Sequence, residues 1–253
     1  MKEKTRKEME MKVAKKFKTI NKIIIFGFSH CGTTILKSII GHIDEVFEII
    51  DETSIIKINY LKRMFKKNKN CKYILCKFPQ FLDSFINDKI YNDYIKIFII
   101  RNPIFVYSSL NKRKEFNIGS HHHISKYLYI LKQFFHYTKY PVKNLYTIKY
   151  EDLFYNNYQE LKKILDSIGF KYSNKIFNNA KYLNKLCEKI KSKKQCQKTS
   201  NMDHKLYRQW QINQPFKSNN NISKISLTDE QIEIIKNNEE ILKLYPDVKT
   251  ILK

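Results

Sequence analysis

Residues 27–34 form a loop of the kind that binds phosphate or sulfate groups. The segment Gly27-Phe-Ser-His-Cys-Gly-Thr-Thr34 directly follows an apolar run and precedes a helical pattern. Its spacing, G-x4-G-T-T, matches a P-loop except that Thr33 stands where a nucleoside triphosphatase needs lysine. Backbone N–H groups at such a helix N-terminus can hold an anion. No predicted strand ends in an aspartate that could hold magnesium, so the loop predicts an anion site that works without a divalent metal.

A second candidate anion site follows the third apolar run. Arg101 ends this run, Pro103 suits the first turn of a helix, and Ser109 lies eight residues beyond Arg101. An arginine can bind a phosphate through two parallel hydrogen bonds, and Arg113 lies one turn after Ser109 on the same predicted face. Taken alone, Arg101 could equally form a salt bridge and Ser109 could be a small packing residue. Together with the first loop, the two sites predict a ligand that carries phosphate groups at two positions.

Alternating strands and helices must position these sites. Four short apolar runs are predicted strands: Ile23–Phe26, Tyr73–Cys76, Lys96–Ile100 and Leu145–Lys149. Helical patterns follow at Thr33–Ile43, at Gln80–Ile90, from Ile104 and at Tyr158–Ile168, with a last helix from Thr228 to about Tyr245. This order predicts an α/β fold, a central parallel sheet with helices on both faces. Ligands of such sheets bind at the carboxyl ends of the strands, where both candidate sites lie.

Length and local charge predict one large domain with a basic extension before it. Residues 1–22 carry nine Lys and Arg against three Glu and read as an N-terminal extension. Residues 23–253 show no internal repeat and no clear boundary, so we expect a single domain there. The chain has only five Gly and five Pro, which excludes collagen-like, Gly/Ser-linker and Pro-rich disordered chains.

The net charge of +24, from 48 Lys and Arg against 24 Asp and Glu, has two interpretations. A basic chain can be a nucleic-acid-binding protein without catalysis. Lys, Asn and Ile are enriched together while Gly, Pro, Ala and Arg are depleted, which is the bias of an AT-rich coding sequence, and we favour this second interpretation. In either case the positive charge attracts anionic ligands.

The cysteines and the apolar runs bear on where the protein works. There are five cysteines, an odd number, with irregular spacing and no C-x-x-C pair. This pattern is typical of reduced thiols rather than of disulfides or a zinc site. The apolar runs are much shorter than the roughly 20 residues of a membrane span, and the N-terminus lacks the pattern of a secretory signal. The sequence therefore predicts a cytoplasmic protein without a membrane span.

Three further segments accompany the two anion sites: Asp51-Glu52-Thr53, Lys77-Phe-Pro79 and Tyr150-Glu-Asp-Leu153. With the first loop and the Arg101 to Ser109 spacing, they resemble, in order, the motifs of the PAPS-dependent sulfotransferases, which use 3′-phosphoadenosine 5′-phosphosulfate (PAPS). The segment Lys77-Phe-Pro79 is similar to the K-x-P element of the tyrosylprotein and bacterial branches, and Asp51-Glu52-Thr53 is similar to the E-E-T segment of the tyrosylprotein branch. The resemblance covers residues 22–170, and its order makes it more specific than any single motif.

The resemblance implies a P-loop-like sulfotransferase fold and in-line transfer of a sulfuryl group from PAPS to a hydroxyl or amine acceptor without a metal. Lys77 would stabilise charge on the leaving phosphate, with His30 beside it, and Glu52 would accept the proton of the acceptor. The residues implied in binding PAPS are, for the 5′-phosphosulfate, His30, Cys31, Gly32, Thr33 and Thr34, and, for the 3′-phosphate and nucleotide, Arg101, Ser109, Arg113 and Tyr150.

The loop departs from the family pattern at three positions. The family's Arg or Lys before S-G-T-T is His30 here, its Ser is Cys31, and its Pro is Ser29. An imidazole is less fully charged at neutral pH than a guanidinium or an ammonium group. Either His30 therefore acts as an imidazolium, or Lys77 carries the positive charge alone.

Several alternatives remain open from the sequence. A metal-dependent P-loop kinase is disfavoured by the missing lysine and magnesium ligand. The run His121-His122-His123 invites a metal hypothesis, but consecutive side chains converge poorly, so we expect a polar loop, with a role at the acceptor site as the other option. The acceptor class, whether carbohydrate, peptide, lipid or small alcohol, is not readable from the residues.

Overall fold

A computed structural model describes residues 15, 17, 19–49, 52–67, 70–112, 122–178, 216, 218 and 220–253. In this part of the chain five strands form one parallel sheet in the order β2-β3-β1-β4-β5. The strands are β1 Asn21–Gly27, β2 Val46–Glu48, β3 Tyr73–Phe78, β4 Tyr94–Ile100 and β5 Leu145–Lys149. The predicted α/β class and the parallel sheet are confirmed.

Helices connect and follow the strands. The α-helices are α1 Thr33–Gly41, α2 Ile58–Lys67, α3 Ser84–Asn87, α4 Pro103–Asn111, α5 Ile124–Lys139, α6 Gln159–Ile168, α7 Asp229–Asn237, α8 Glu239–Leu244 and α9 Val248–Ile251. Short 3₁₀ helices lie at Lys89–Tyr91, Glu151–Leu153, Asn174–Asn178 and Ile222–Lys224. None of the helices in this part of the chain combines the length and apolar character that crossing a bilayer requires.

The central strand β1 is buried on both faces, which explains its continuous apolar sequence. Successive side chains of a strand point to opposite faces. Ile24 and Phe26 accordingly belong to one apolar cluster and Ile23 and Ile25 to the other. The first cluster includes residues of α2, α4, α5 and the C-terminal helices, and the second includes residues of α1 and α6. The predicted helices on both faces are therefore present.

Two predicted helices differ from those observed. The range Gln80–Ile90 contains only the one-turn α3 and the 3₁₀ helix Lys89–Tyr91, because Asp88 is extended and caps the second segment by accepting a hydrogen bond from the Ile90 N–H. The last helix begins as predicted, with Thr228 and Gln231 in a reciprocal capping box. It ends at Asn237, because Asn238 is extended and caps the separate helix α8.

Candidate active site

The carboxyl ends of β3, β1 and β4 meet at one edge of the sheet. Lys77 in β3 pairs in register with Ile25 of β1, and Gly27 at the end of β1 pairs with Ile99 of β4. Arg101 follows β4 directly. The structure thus brings the first loop, the K-x-P segment and Arg101, which lie far apart in sequence, to neighbouring positions.

Two glycines are required by the shape of the first loop. A Cβ atom on Gly27 would lie 2.0 Å from the Ile99 carbonyl oxygen, so the backbones of β1 and β4 could not approach as they do. Gly32 has a φ of +95°, and a Cβ there would lie 2.3 Å from Cδ2 of Tyr150. The loop therefore combines a left-handed residue with direct packing on the Tyr150 ring.

Replacing Gly32 by alanine is expected to cost about 2 kcal/mol or more of unfolding free energy, because it adds backbone strain and a clash with Tyr150. Gly169→Ala is the matched control, since Gly169 also has a positive φ, of +84°, but a Cβ there would meet nothing within 4 Å. Urea unfolding of both variants separates the two costs. Equal losses of stability in the two would contradict the packing of Tyr150 on Gly32.

The N-terminus of α1 has features of an anion site. Gly32 is its N-cap residue and supplies no side-chain cap, and no acidic residue lies in the first turn. The Cys31 N–H donates to the Phe28 carbonyl oxygen at 3.2 Å, so it forms part of the turn. Burial raises the pKa of the Cys31 thiol, so this side chain stays protonated and neutral. The positive end of the helix dipole therefore faces the loop without a compensating carboxylate of its own first turn.

Lys77 stands beside this helix N-terminus and joins two other predicted site residues. Its Nζ donates to Thr34 Oγ1 at 2.8 Å and to Glu52 Oε1 at 2.7 Å. The Lys77 side chain is 3% exposed, whereas the Glu52 side chain is 35% exposed and open to an incoming molecule. An ammonium group, a helix N-terminus and a solvent-accessible carboxylate are thus in one hydrogen-bonded chain.

Glu52 is brought to Lys77 by a strand that the sequence did not reveal. β2 pairs with β3, and just after β2 the Ile49 N–H donates to the Leu75 carbonyl oxygen at 2.8 Å. The Thr53 N–H then donates to the carbonyl oxygen of Lys77 itself at 3.1 Å. This backbone pairing holds the carboxylate next to the ammonium group.

Lys37 of α1 contacts the end of β2 and the residue after it. Its side chain is 1% exposed, and its Nζ lies 2.9 Å from Glu48 Oε1 and donates to the Ile49 carbonyl oxygen at 2.8 Å. A buried lysine needs such partners, because an unpaired buried charge is costly. Lys37 therefore ties α1 to Glu48 and Ile49, a few residues before Glu52.

Arg101 is held by groups from three parts of the chain. Its guanidinium carbon lies 4.3 Å from the centroid of the Tyr150 ring, and its NH1 donates to the His30 carbonyl oxygen at 3.2 Å. Its Nε and NH2 both donate to Oδ1 of Asn220, at 3.0 and 2.8 Å. Tyr150, predicted to approach the nucleotide, is 3% exposed, and its ring packs against both the Arg101 guanidinium and Gly32.

His30 connects the two predicted anion sites. It has a φ of +66°, and its Nδ1 forms a 2.7 Å hydrogen bond with Oγ of Ser109 on α4. The predicted 5′-phosphosulfate loop and the predicted 3′-phosphate helix are therefore in direct contact. The imidazole of His30 therefore contacts Ser109, while Thr34, four residues later in the loop, contacts Lys77.

Two histidines of the run 121–123, His122 and His123, have separate contacts. Nε2 of His122 lies 3.2 Å from Ser29 Oγ, which in turn donates to the Pro79 carbonyl oxygen at 3.0 Å. A hydroxyl has one proton, so His122 donates in this pair. His123 caps α5 by accepting from the Ser125 N–H. No group of three or more His, Cys, Asp or Glu side chains suited to a metal occurs among the described residues.

Some predicted residues lie outside the described part of the chain: Arg113, His121, Cys187 and Cys196. The other three cysteines, Cys31, Cys71 and Cys76, are buried free thiols. Sequence reasoning missed Asn220, because nothing distinguishes it within an Asn- and Lys-rich segment. It also missed Lys37, although a lysine inside the apolar helix pattern Ile-Leu-Lys-Ser-Ile was a usable signal of a buried ion pair.

Comparison with known proteins supports the fold. Neither a protein-family profile nor a curated protein matches the sequence. Among solved structures, the chain is similar to the crystal structure of mouse sulfotransferase SULT7A1 complexed with PAP, with a TM-score of 0.52 and 16% sequence identity. The match covers 91% of this chain and 88% of the mouse chain. At this sequence identity the structural similarity shows the fold alone, and the function has to be argued from the residues of the site. The chain has the α/β fold of a sulfotransferase, as predicted.

Proposed function

We propose that the protein transfers a sulfuryl group from PAPS to a hydroxyl or amine acceptor. The observation that carries the proposal is the position of Lys77, with its Nζ 2.8 Å from Thr34 Oγ1 of the loop and 2.7 Å from the Glu52 carboxylate. In the proposal, Lys77 is the cation for the leaving group and Glu52 is the base for the acceptor, and the contact of Lys77 with both Thr34 and Glu52 supports these roles. The mouse protein of similar fold was solved with PAP, which is consistent with this donor.

The residues present fit the donor. Its 5′-phosphosulfate needs donors and positive potential, which the α1 N-terminus and Lys77 can supply. Its 3′-phosphate needs a second cation, and Arg101 has a forked edge suited to phosphate oxygens. Arg101 is 6% exposed and stacked on Tyr150, so its guanidinium is oriented in advance.

The chemistry divides between two side chains. The donor supplies a sulfuryl group attached to a phosphate, which leaves as part of adenosine 3′,5′-bisphosphate. Glu52 accepts the proton of the acceptor O–H or N–H as the new bond from that oxygen or nitrogen to sulfur forms. Lys77 donates a hydrogen bond to the phosphate oxygen as its bond to sulfur breaks and negative charge develops there. No step needs a metal, and the geometric demand is an in-line arrangement, as in phosphoryl transfer.

The remaining predicted residues take supporting roles in the proposal. Arg101 and Ser109 hold the 3′-phosphate, and Arg113 is a candidate for the same group. His30 joins Ser109 to the loop, so Lys77 carries the positive charge at the sulfuryl group. Cys31, Gly32 and Thr33 contribute by shaping the helix N-terminus. The acceptor class and the cytoplasmic location stay predictions.

Arg101→Ala is expected to weaken binding of adenosine 3′,5′-bisphosphate by about 100-fold, because two charge-assisted hydrogen bonds are worth about 3 kcal/mol together. Arg63→Ala is the control, since Arg63 is an exposed arginine of α2 that packs on the Tyr60 ring. Isothermal titration of both variants gives the affinities, and thermal melts check folding. An unchanged affinity in a folded Arg101→Ala variant would remove Arg101 from the nucleotide site.

A further inference from the structure

Asn220 occupies the phosphate-binding edge of Arg101. Its side-chain oxygen accepts hydrogen bonds from both Nε and NH2 of Arg101, at 3.0 and 2.8 Å. Its side-chain nitrogen donates to Glu151 Oε1 at 3.2 Å. A phosphate oxygen bound to this edge would accept the same two hydrogen bonds, because a guanidinium offers them as a fixed fork.

The segment that carries Asn220 is attached to α4, the helix of Ser109. The Ser226 N–H donates to Ser108 Oγ at 3.0 Å, and Asn111 Nδ2 donates to the Ser226 carbonyl oxygen at 2.9 Å. The Lys112 ammonium group also donates to the carbonyl oxygen of Lys224. The backbone at Lys224 and Ser226, which contacts α4 and Lys112 directly after it, therefore holds Asn220 near Arg101.

We propose that the 3′-phosphate of the nucleotide takes the place of Asn220 on Arg101, so that Asn220 determines the affinity and selectivity for 3′-phosphorylated nucleotides. The inference rests on the proposed function, because it assigns Arg101 to the 3′-phosphate. A neutral amide oxygen binds a guanidinium more weakly than a phosphate does, so the phosphate displaces it. A nucleotide without a 3′-phosphate leaves the Asn220–Arg101 contact intact.

Glu151 keeps a hydrogen-bond donor when the phosphate displaces Asn220 from Arg101. Its Oε1 accepts from the Asn102 N–H at 3.0 Å as well as from Asn220, and its Oε2 has no hydrogen-bond partner among the described residues. Burial raises the pKa of this carboxyl. When Asn220 leaves, Oε1 keeps the Asn102 hydrogen bond, so displacing Asn220 does not strip the carboxyl of all its donors.

The test measures two affinities in each of three variants. Asn220→Ala removes the group that competes with the phosphate, so we expect adenosine 3′,5′-bisphosphate to bind about three- to tenfold tighter. The factor is the reciprocal of the fraction of wild-type protein in which Asn220 is not bound to Arg101. Asn220→Asp puts a carboxylate of the same size against Arg101, so we expect binding at least about tenfold weaker. Adenosine 5′-phosphosulfate, which lacks the 3′-phosphate, should bind both variants within about twofold of wild type.

Asn221→Ala is the matched control. Asn221 caps the 3₁₀ helix Ile222–Lys224 by accepting from the Ser223 N–H at 3.0 Å, so its loss loosens the same segment while leaving Asn220 in place. A change in this variant equal to that of Asn220→Ala would assign the effect to the segment rather than to Asn220. Weaker bisphosphate binding by Asn220→Ala, or equal changes for both nucleotides, would overturn the inference. Failure of the wild type to bind the bisphosphate would overturn the proposed function itself.

Discussion

Replacing Lys77 by methionine is expected to lower turnover about 10²- to 10³-fold, the usual loss when a donor that stabilises transition-state charge is removed. Methionine keeps the length and buried volume of the side chain but has no charge to stabilise the leaving phosphate. Arg101 is unaffected, so affinity for adenosine 3′,5′-bisphosphate should stay within about tenfold of wild type. Turnover is measured as release of the bisphosphate, with an acceptor that supports wild-type activity.

The residue directly before β3 offers a control. Lys72 lies at the amino end of β3, with its Nζ 2.6 Å from Glu45 Oε1, and its side chain is 57% exposed. Lys72→Met makes the same chemical change in another lysine–carboxylate pair at the opposite edge of the sheet. We expect it to leave turnover unchanged. A Lys77→Met variant that folds and turns over within threefold of the Lys72→Met variant would remove Lys77 from the reaction.

Glu52→Gln is expected to lower turnover about 10²- to 10⁴-fold, which is the contribution of a positioned general base. Glutamine keeps the side-chain length and can still accept a hydrogen bond from Lys77, so nucleotide binding should be retained. Glu45→Gln, at the other pair, is the control and should be fully active. A fully active Glu52→Gln variant would show that another group accepts the proton.

The residues at the strand ends were predictable because their types are unusual for their positions. Gly27 and Gly32 in a glycine-poor chain frame a loop that the structure places at the end of β1, and Pro103 begins α4 with Asn102 as its cap. Arg101 after four buried residues could only be a partnered or ligand-binding cation. Tight turns, helix starts and buried strands each favour particular residue types, so a single sequence shows these features.

The contacts between the segments were not predictable in the same way. β2 is three residues long, and Glu52 is held near Lys77 by backbone hydrogen bonds of Ile49 and Thr53 to β3, which have no pattern of their own in the sequence. The contact of His30 with Ser109 and that of Arg101 with Asn220 join residues 79 and 119 positions apart. Such long-range side-chain contacts depend on tertiary packing, for which a single sequence gives no periodic signal.

The most direct test of the central claim compares two ligands by thermal shift on the purified full chain. We expect adenosine 3′,5′-bisphosphate to raise the melting temperature without added metal, and Arg101→Ala to remove the shift. ATP with magnesium should give a clearly smaller shift, because Thr33 replaces the P-loop lysine. A shift with ATP and magnesium but none with the bisphosphate would contradict the proposed sulfotransferase function and favour a metal-dependent nucleotide kinase.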